Sequence, residues 1–213
     1  MKILLNQNDY WNKVAGEKTF NHEPDWKFLQ KNIANESKIL DFGSGYGRLV
    51  EKFANRGYQN IIGIDSSEKM IERARNSNKS LNYLHNLDDH IPFEDNNFDL
   101  ILLFAVLTCI PLDEDQERLL SEIHRVLKTN GLLYISDLLI NSDERNMNRY
   151  KENKGTEYGV FKLTEGVTLR HHSIEYLENE ILSDFRIVYK NFFEVSTMNK
   201  NKSKAIQIIG SKK

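Results

Sequence analysis

Short apolar runs alternate along this chain with segments of helical periodicity, and this alternation constrains the possible folds more than any other feature. Buried strands are predicted at 38–42, 61–65, 81–84, 99–104 and 131–140. Helical spacing lies between most of them, at 47–55, 67–76 and 115–127. Because a repeated strand–helix–strand order places the strands side by side in one direction, the pattern predicts a parallel sheet with helices on both faces.

The N-terminal end, the C-terminal end and one internal segment depart from this alternation. Helices are predicted at 9–20 and 25–33, so residues 1–35 are expected to form an N-terminal helical cap. The polar, Asn-rich stretch 141–172 is predicted to be an insertion over the sheet edge. After a predicted helix at 173–182, runs at 185–193 and 205–209 flank a turn-rich segment, which is typical of an antiparallel hairpin. The chain, 1–213, is expected to form one domain.

Composition excludes some partners and some kinds of site. Lys and Arg number 29 against 31 Asp and Glu, so the chain has no overall positive field and no nucleic-acid partner is expected. Cys109 is the single cysteine, which excludes an internal disulfide and a CxxC-type zinc site, and no metal is expected. No apolar run reaches the roughly eighteen residues of a membrane helix. A cytoplasmic protein without a membrane partner is expected, as a monomer or homodimer.

Three glycines follow the first predicted strand in the stretch DFGSGYGRL, at Gly43, Gly45 and Gly47. In an open parallel sheet, ligands bind beyond the carboxyl ends of the strands, and the loop after the first strand lines that crevice. Glycine permits positive φ and lets the backbone approach a ligand closely. A side chain at Gly45 is therefore expected to strike the ligand. The alternative is a tight turn without a ligand.

The second strand ends at Asp65, twenty residues after Gly45. A carboxylate at this point of such a fold can accept hydrogen bonds from the two hydroxyls of a ribose, which predicts a nucleoside ligand. The alternative role is a helix cap, but Ser66 or Ser67 is expected to cap and to leave Asp65 free. The glycine spacing is GxGxG after the acidic Asp41, and not the GxGxxG that faces a pyrophosphate, so a nicotinamide enzyme is the weakest candidate.

Four segments together resemble the successive motifs of the class I S-adenosylmethionine-dependent methyltransferases: LDFGSGYGRL, IIGIDSSEKMIERAR, IPFEDNNFDLILLFAVLTCIP and EIHRVLKTNGLLYISD. The resemblance covers residues 38–137 and implies a Rossmann-like α/β fold of about seven strands with a C-terminal antiparallel hairpin. It also implies S-adenosylmethionine as cofactor and S-adenosylhomocysteine as product.

The resemblance assigns roles to individual residues. The loop residues that it places near the methionine part of the cofactor are Gly43, Ser44, Gly45 and Gly47. Asp65 would take the ribose hydroxyls with Ser66 beside it, and Met70 would pack near the adenine. The residues that would pass along the sulfonium side are Phe104 and Ala105.

Two positions depart from the family pattern. Leu87 stands where the family usually has an acid that holds the adenine amino group, so backbone groups around Leu87 or the neighbouring Asp88 would have to do so. After the fourth strand, FAVLTCIP replaces the Asn/Asp-Pro-Pro-aromatic motif of enzymes that methylate amide or nucleobase nitrogens. Methylation of DNA adenine or of a glutamine amide is therefore not expected.

Transfer of the methyl group is expected to be an in-line displacement that depends mainly on positioning of the acceptor. Tyr10, with Trp11 and Phe20, is predicted to close the site over the cofactor, or else only to pack the helix on the sheet. His171 and His172 are predicted to meet the acceptor and to act as base, the alternatives being a helix cap or solvent exposure. Arg170 would suit an acceptor with a carboxylate.

The sequence thus predicts a methyltransferase that transfers a methyl group to the oxygen or nitrogen of a small-molecule acceptor, with 141–172 as a lid. Two further hypotheses stay open. A protein or RNA methyltransferase would show an electropositive groove near the site. A non-catalytic module that binds S-adenosylmethionine would have a closed or absent acceptor cavity.

Overall fold

The computed structural model describes residues 7–152, 157–197 and 201–213. The strands are β1 (Lys38–Phe42), β2 (Asn60–Asp65), β3 (Asn82–His85), β4 (Phe98–Phe104), β5 (Leu127–Leu138), β6 (Val160–Lys162), β7 (Thr168–Arg170), β8 (Phe185–Ser196) and β9 (Lys202–Lys212). The helices are α1 (Asn8–Val14), α2 (Trp26–Asn32), α3 (Arg48–Ala54), α4 (Glu68–Ser77), α5 (Asp113–Val126), α6 (Glu144–Glu152) and α7 (Ile174–Tyr176). A 3₁₀ turn covers Leu107–Cys109, and a π-helical turn, Leu177–Ile181, continues α7.

A seven-stranded sheet has the order β3-β2-β1-β4-β5-β9-β8. The strands from β3 to β5 are parallel, and β9 is antiparallel to both β5 and β8. This confirms the predicted fold class of a mostly parallel, Rossmann-like sheet with a C-terminal hairpin. The chain moves outward in one direction from β1 and in the other from β4, so the strand order reverses between them. The crevice beyond their carboxyl ends is where this type of sheet binds ligands.

Apolar layers cover both faces of the sheet. Along β1, Ile39 packs in one layer with Phe53 of α3, whereas Leu40 packs in the other with Ile123 of α5. Both strand residues are fully buried. Because inner strands such as β1 and β4 are covered on both sides, they are mostly apolar runs in the sequence, which is why they could be predicted.

Some predicted boundaries were wrong. The first helix ends at Val14 and not near residue 20, because the chain turns there and the N–H groups of Glu17 and Lys18 both bond to the Val14 carbonyl. Strand β5 begins at Leu127 and not at 131, since α5 runs directly into it and Leu127 already pairs with Phe98. The hairpin strands are longer than predicted.

The stretch 141–172 contains α6 and the small two-stranded sheet of β6 and β7. It has an apolar cluster of its own, made by Tyr150, Phe161, Val167 and Leu169. Trp11 of α1 packs against this cluster. No helix within the described ranges is long and apolar enough to cross a membrane.

Candidate active site

The glycine loop lies at the carboxyl end of β1, as predicted. Gly43, Gly45 and Gly47 have φ values of 71°, 55° and 81°, a region that other residues rarely adopt. A Cβ at Gly45 would lie 2.9 Å from the Phe20 ring, and one at Gly47 would lie 2.5 Å from the Tyr83 ring. The backbone and neighbouring side chains therefore already require glycine, so substitution of Gly45 would disturb the protein as well as any ligand.

A first cavity opens over this loop, and most of the predicted cofactor residues line it. These are Gly43, Ser44, Gly45, Asp65, Ser66, Met70, Phe104 and Ala105. Including the open space at its mouth, the cavity measures about 1100 Å³. Four residues predicted to bind the cofactor are not on its described walls: Tyr10, Gly47, Leu87 and Asp88.

Asp65 ends β2 at the floor of the first cavity. Its Oδ2 accepts a hydrogen bond of 2.8 Å from the Gly45 N–H, and its Oδ1 accepts one of 2.8 Å from the Ser67 N–H. Ser67 caps α4 by accepting from the Met70 N–H, as expected. The expectation that Asp65 is free was wrong, because both oxygens are engaged by backbone groups. Each oxygen can still accept a second hydrogen bond from a ligand.

Asp41, the last acid before the glycine loop, also lines the first cavity. Its Oδ2 is buried and has no hydrogen-bond partner among the described residues, and the same holds for Ser44 Oγ. Burial raises the pKa of Asp41 to about 7; Asp65 adds to this effect and Arg48 opposes it. Buried polar atoms are usually paired, so these two atoms indicate a polar ligand. From the sequence alone, Asp41 only distinguished this loop from one that binds a pyrophosphate.

Asn86, just after β3, lines the first cavity. The sequence had instead predicted its neighbours Leu87 and Asp88 at this place. The side-chain amide of Asn86 donates to the carbonyls of Asp88 and His90, both at 3.1 Å. These bonds hold the loop in a turn that brings Asn86, and not Leu87 or Asp88, to the cavity wall. A role of Leu87 and Asp88 in binding adenine stays a prediction.

A second cavity adjoins the first. The residues that line both are Trp11, Phe20, Arg48, Phe104, Ala105 and Cys109. Ala105 has φ of 57° and its N–H bonds to the Ser136 carbonyl, so the chain turns sharply between the two cavities. The further walls come from residues 17–22, from α6 and β6, and from the end of the hairpin.

The N-terminal segment and the 141–172 stretch are bonded to each other beside these cavities. Gln7 donates to the Thr168 carbonyl and accepts from the Thr168 N–H, at 2.8 and 2.7 Å. Tyr10 donates to Glu165 at 3.0 Å, and Lys18 forms an ion pair with the same carboxylate. Tyr10 thus contacts the insertion, and its predicted contact with the cofactor stays a prediction.

The two adjacent histidines lie in different places. His171 lines the second cavity, with Nδ1 at 2.6 Å from the Tyr150 hydroxyl and the ring against Phe161. His172 is on the described walls of neither cavity, and its Nε2 lies 2.9 Å from Gln116 Nε2. Burial lowers the pKa of both to about 3, so both rings are neutral at neutral pH. Neither ring caps α7, because Ser173 does so.

Arg170 is not available to an acceptor. Its guanidinium is buried, bonds to Asp113 at 2.5 Å and donates to the Pro111 carbonyl at 3.3 Å. The suggestion that Arg170 binds a carboxylate-bearing acceptor is therefore wrong. Within the described ranges, no group of three or more His, Cys, Asp or Glu side chains is arranged to hold a metal ion.

Comparison with known proteins identifies the family. A family model described as a methyltransferase domain matches residues 40–135. A carboxy-S-adenosyl-L-methionine synthase from Campylobacter fetus is 32% identical over 166 residues, which cover 71% of this chain and 68% of that protein. An eEF1A lysine and N-terminal methyltransferase from Bos taurus is 30% identical over 58% of this chain, but this covers only 20% of the relative.

A solved structure shares the whole fold. The S-adenosylmethionine-dependent methyltransferase from Methanosarcina mazei superimposes with a TM-score of 0.82 at 24% identity, over 91% of this chain and 99% of that one. The relatives named above act on different kinds of molecule, so the acceptor does not follow from them. Motifs, fold and relatives agree that this chain belongs to the class I S-adenosylmethionine-dependent methyltransferases and uses S-adenosylmethionine as its cofactor.

Proposed function

We propose that this methyltransferase acts on a small-molecule acceptor that binds in the second cavity, with the cofactor in the first. The observation that carries the proposal is that the two cavities adjoin along Phe104 and Ala105. Methyl transfer needs the acceptor atom, an oxygen or a nitrogen, held in line with the methyl group. Residues 1–35 and 141–172 would form the cap and lid of the acceptor cavity.

The residues that line the first cavity suit S-adenosylmethionine. When bound, S-adenosylmethionine supplies a methyl group on a positively charged sulfur. Asp65 would accept hydrogen bonds from the ribose hydroxyls, and the unpartnered Asp41 Oδ2 would accept one from the amino group. Ser44 Oγ is a second polar atom that lacks a partner. The buried Met70 offers an apolar contact for the adenine ring.

The chain's own contribution to the reaction would be positioning and exclusion of water. Trp11, Phe20 and Phe104 place aromatic rings around the junction of the two cavities. His171 is neutral, so it can exchange a hydrogen bond with the acceptor but is a weak base. A stronger base is required only where the acceptor must lose its proton before transfer.

Both S-adenosylmethionine and S-adenosylhomocysteine are expected to raise the melting temperature. A ligand at about 100 times its Kd stabilises the folded state by about 2.7 kcal/mol, which corresponds to roughly 5–10 °C for a chain of this size. Thermal unfolding with each compound measures this, with NAD as the control. An equal rise with NAD would contradict the assignment of the first cavity.

The acceptor class is tested by formation of S-adenosylhomocysteine with a panel of phenols, carboxylates and amines, beside peptide and RNA pools. Turnover with at least one small molecule, and none with the pools, is expected. Turnover with a pool alone would favour the protein or RNA hypothesis; the eEF1A relative supports the protein hypothesis. A binding module without activity is disfavoured by the open second cavity.

Affinity for S-adenosylhomocysteine is expected to rise with pH up to about 7 and then to level off. Burial raises the pKa of Asp41 to about 7, and a cationic amino group beside it would favour the ionised carboxylate. Binding below pH 7 therefore releases a proton, and affinity falls by at most about tenfold for each unit of pH. Calorimetry across this range measures the slope.

Asp41→Asn is expected to remove this slope. Asp137→Asn is the matched control, because burial raises the pKa of Asp137 to about 7 as well, yet it lies outside both cavities. Its carboxylate accepts from the Leu138 and Thr108 N–H groups at 2.7 and 3.1 Å. A slope that persists in Asp41→Asn would show that another group titrates.

A further inference from the structure

The second cavity has more cations than anions on its walls. Three of the cations face a carboxylate: Lys18 with Glu165 at 3.3 Å, Arg48 with Glu23 at 3.1 Å and Arg145 with Asp143 at 3.8 Å. Arg149 lines the same cavity and forms no ion pair within the described ranges. The acid on the described walls is Glu17, which is exposed. The balance therefore leaves Arg149 without an ion pair within the described ranges, and Tyr150 and Asp143 stabilise its charge only in part.

Arg149 lies on α6, where its guanidinium is partly withdrawn from water. Its Cζ is 3.7 Å above the Phe161 ring, and its Nε is buried without a hydrogen-bond partner. Burial lowers the pKa of this arginine, because the charged form is less stable where water is partly excluded. A second arginine on this helix, Arg145, is exposed at the cavity. A bound anion would offset the cost of burial at Arg149.

The other walls of the second cavity are largely apolar. The side chains that supply this surface include Trp11, Phe104, Leu138, Phe161, Leu163 and Leu169. His171 adds a neutral ring, whose centroid is 4.9 Å from that of Phe161. A ligand that fills this space would therefore place an apolar body against these side chains and a charged group at Arg149.

We propose that the acceptor is an organic anion with an apolar, ring-sized body, whose carboxylate or phosphate group is bound by Arg149. This rests on the proposed function, since it takes the second cavity as the acceptor cavity. A planar guanidinium presents N–H groups in pairs that match the oxygens of either group. The contact of Arg149 Cζ with the Phe161 ring, at 3.7 Å from the centroid, restricts the movement of the guanidinium, which favours such a paired contact.

The test compares three probes of similar shape on protein saturated with S-adenosylhomocysteine: 2-naphthoate, 2-naphthyl phosphate and the uncharged 2-naphthamide. At least one anion is expected to bind at least tenfold more tightly than the amide, as measured by calorimetry. The anion that binds more tightly shows whether the acceptor carries a carboxylate or a phosphate group. Arg149→Gln is expected to abolish the difference by weakening binding of the anions to the level of the amide, whereas Arg149→Lys retains part of it.

Arg186→Gln is the matched control, because Arg186 is an exposed arginine on β8 away from both cavities. Equal affinity for the amide and both anions in the unaltered protein would overturn the proposal, and so would a lack of binding by either anion. An undiminished preference in folded Arg149→Gln would also overturn it. Failure of the proposed function is distinguished from these outcomes, because in that case the protein does not bind S-adenosylhomocysteine or turns over only macromolecules.

Discussion

Replacing Asp65 with alanine is expected to weaken binding of S-adenosylmethionine and S-adenosylhomocysteine by about 1–3 kcal/mol, or roughly 5- to 150-fold. The variant removes a charged acceptor at the end of β2, where the fold places ribose hydroxyls. It also frees the N–H of Gly45, which now bonds to Asp65 at 2.8 Å and helps to fix the glycine loop. Both effects weaken binding of the cofactor, and calorimetry measures their combined effect on the affinity.

Asp99→Ala is the control for this variant. Asp99 also accepts from a backbone N–H, that of Lys38 at 2.9 Å, but it lies near the start of β4, at the opposite end of the sheet from the cavities. Its loss is expected to lower stability without changing cofactor affinity. A folded Asp65→Ala protein with unaltered affinity would show that Asp65 has only a structural role.

The order of the strands and helices could be predicted because burial determines which positions within each element are apolar. Strands covered on both faces, such as β1 and β4, are apolar at most of their positions, whereas apolar residues in helices recur every three to four positions. The glycine loop could be predicted because a sharp turn after a strand requires positive φ at fixed positions. These features depend on residues close together in the chain.

Other features depend on residues that are far apart, and no local pattern in the sequence indicates them. Gln7 and Thr168 are 161 positions apart, yet their bonds attach the N-terminal segment to the 141–172 stretch. Arg149 lies in a polar helix whose composition does not distinguish it from a solvent-exposed segment. Arg170 was the more obvious anion-binding candidate, but Asp113 neutralises it. Only the fold shows that Arg170 is paired with Asp113 while Arg149 forms no ion pair within the described ranges.

The histidine pair illustrates the same limit. Consecutive residues in extended backbone point to opposite sides, so one of the two would face the cavity, but the sequence does not say which. The structure directs His171 toward the second cavity and His172 toward Gln116 in α5. His171 is therefore expected to have a role in the reaction, and His172 a role in folding.

His171→Ala is expected to lower turnover on a true acceptor about tenfold or more, with affinity for S-adenosylhomocysteine unchanged. A positioned acid or base generally contributes about 10²–10⁴-fold, and the smaller figure reflects a weak base, since burial lowers the pKa of His171 to about 3. Its Nε2 has no hydrogen-bond partner among the described residues, so it can contact the acceptor. Because the ring is neutral above about pH 3, the pH profile of turnover is expected to keep its shape.

His172→Ala is expected to lower stability and not turnover. It removes a buried ring that stacks on Tyr176 with centroids 5.6 Å apart and lies against Gln116, so stability is expected to fall by about 1–3 kcal/mol while turnover of the folded protein persists. Thermal unfolding and initial rates on both variants measure the contrast. Full turnover in His171→Ala would exclude this histidine from the reaction. An equal fall in turnover in both folded variants would instead show that the histidines act through the structure around the cavity and not by contact with the acceptor, since His172 is on the described walls of neither cavity.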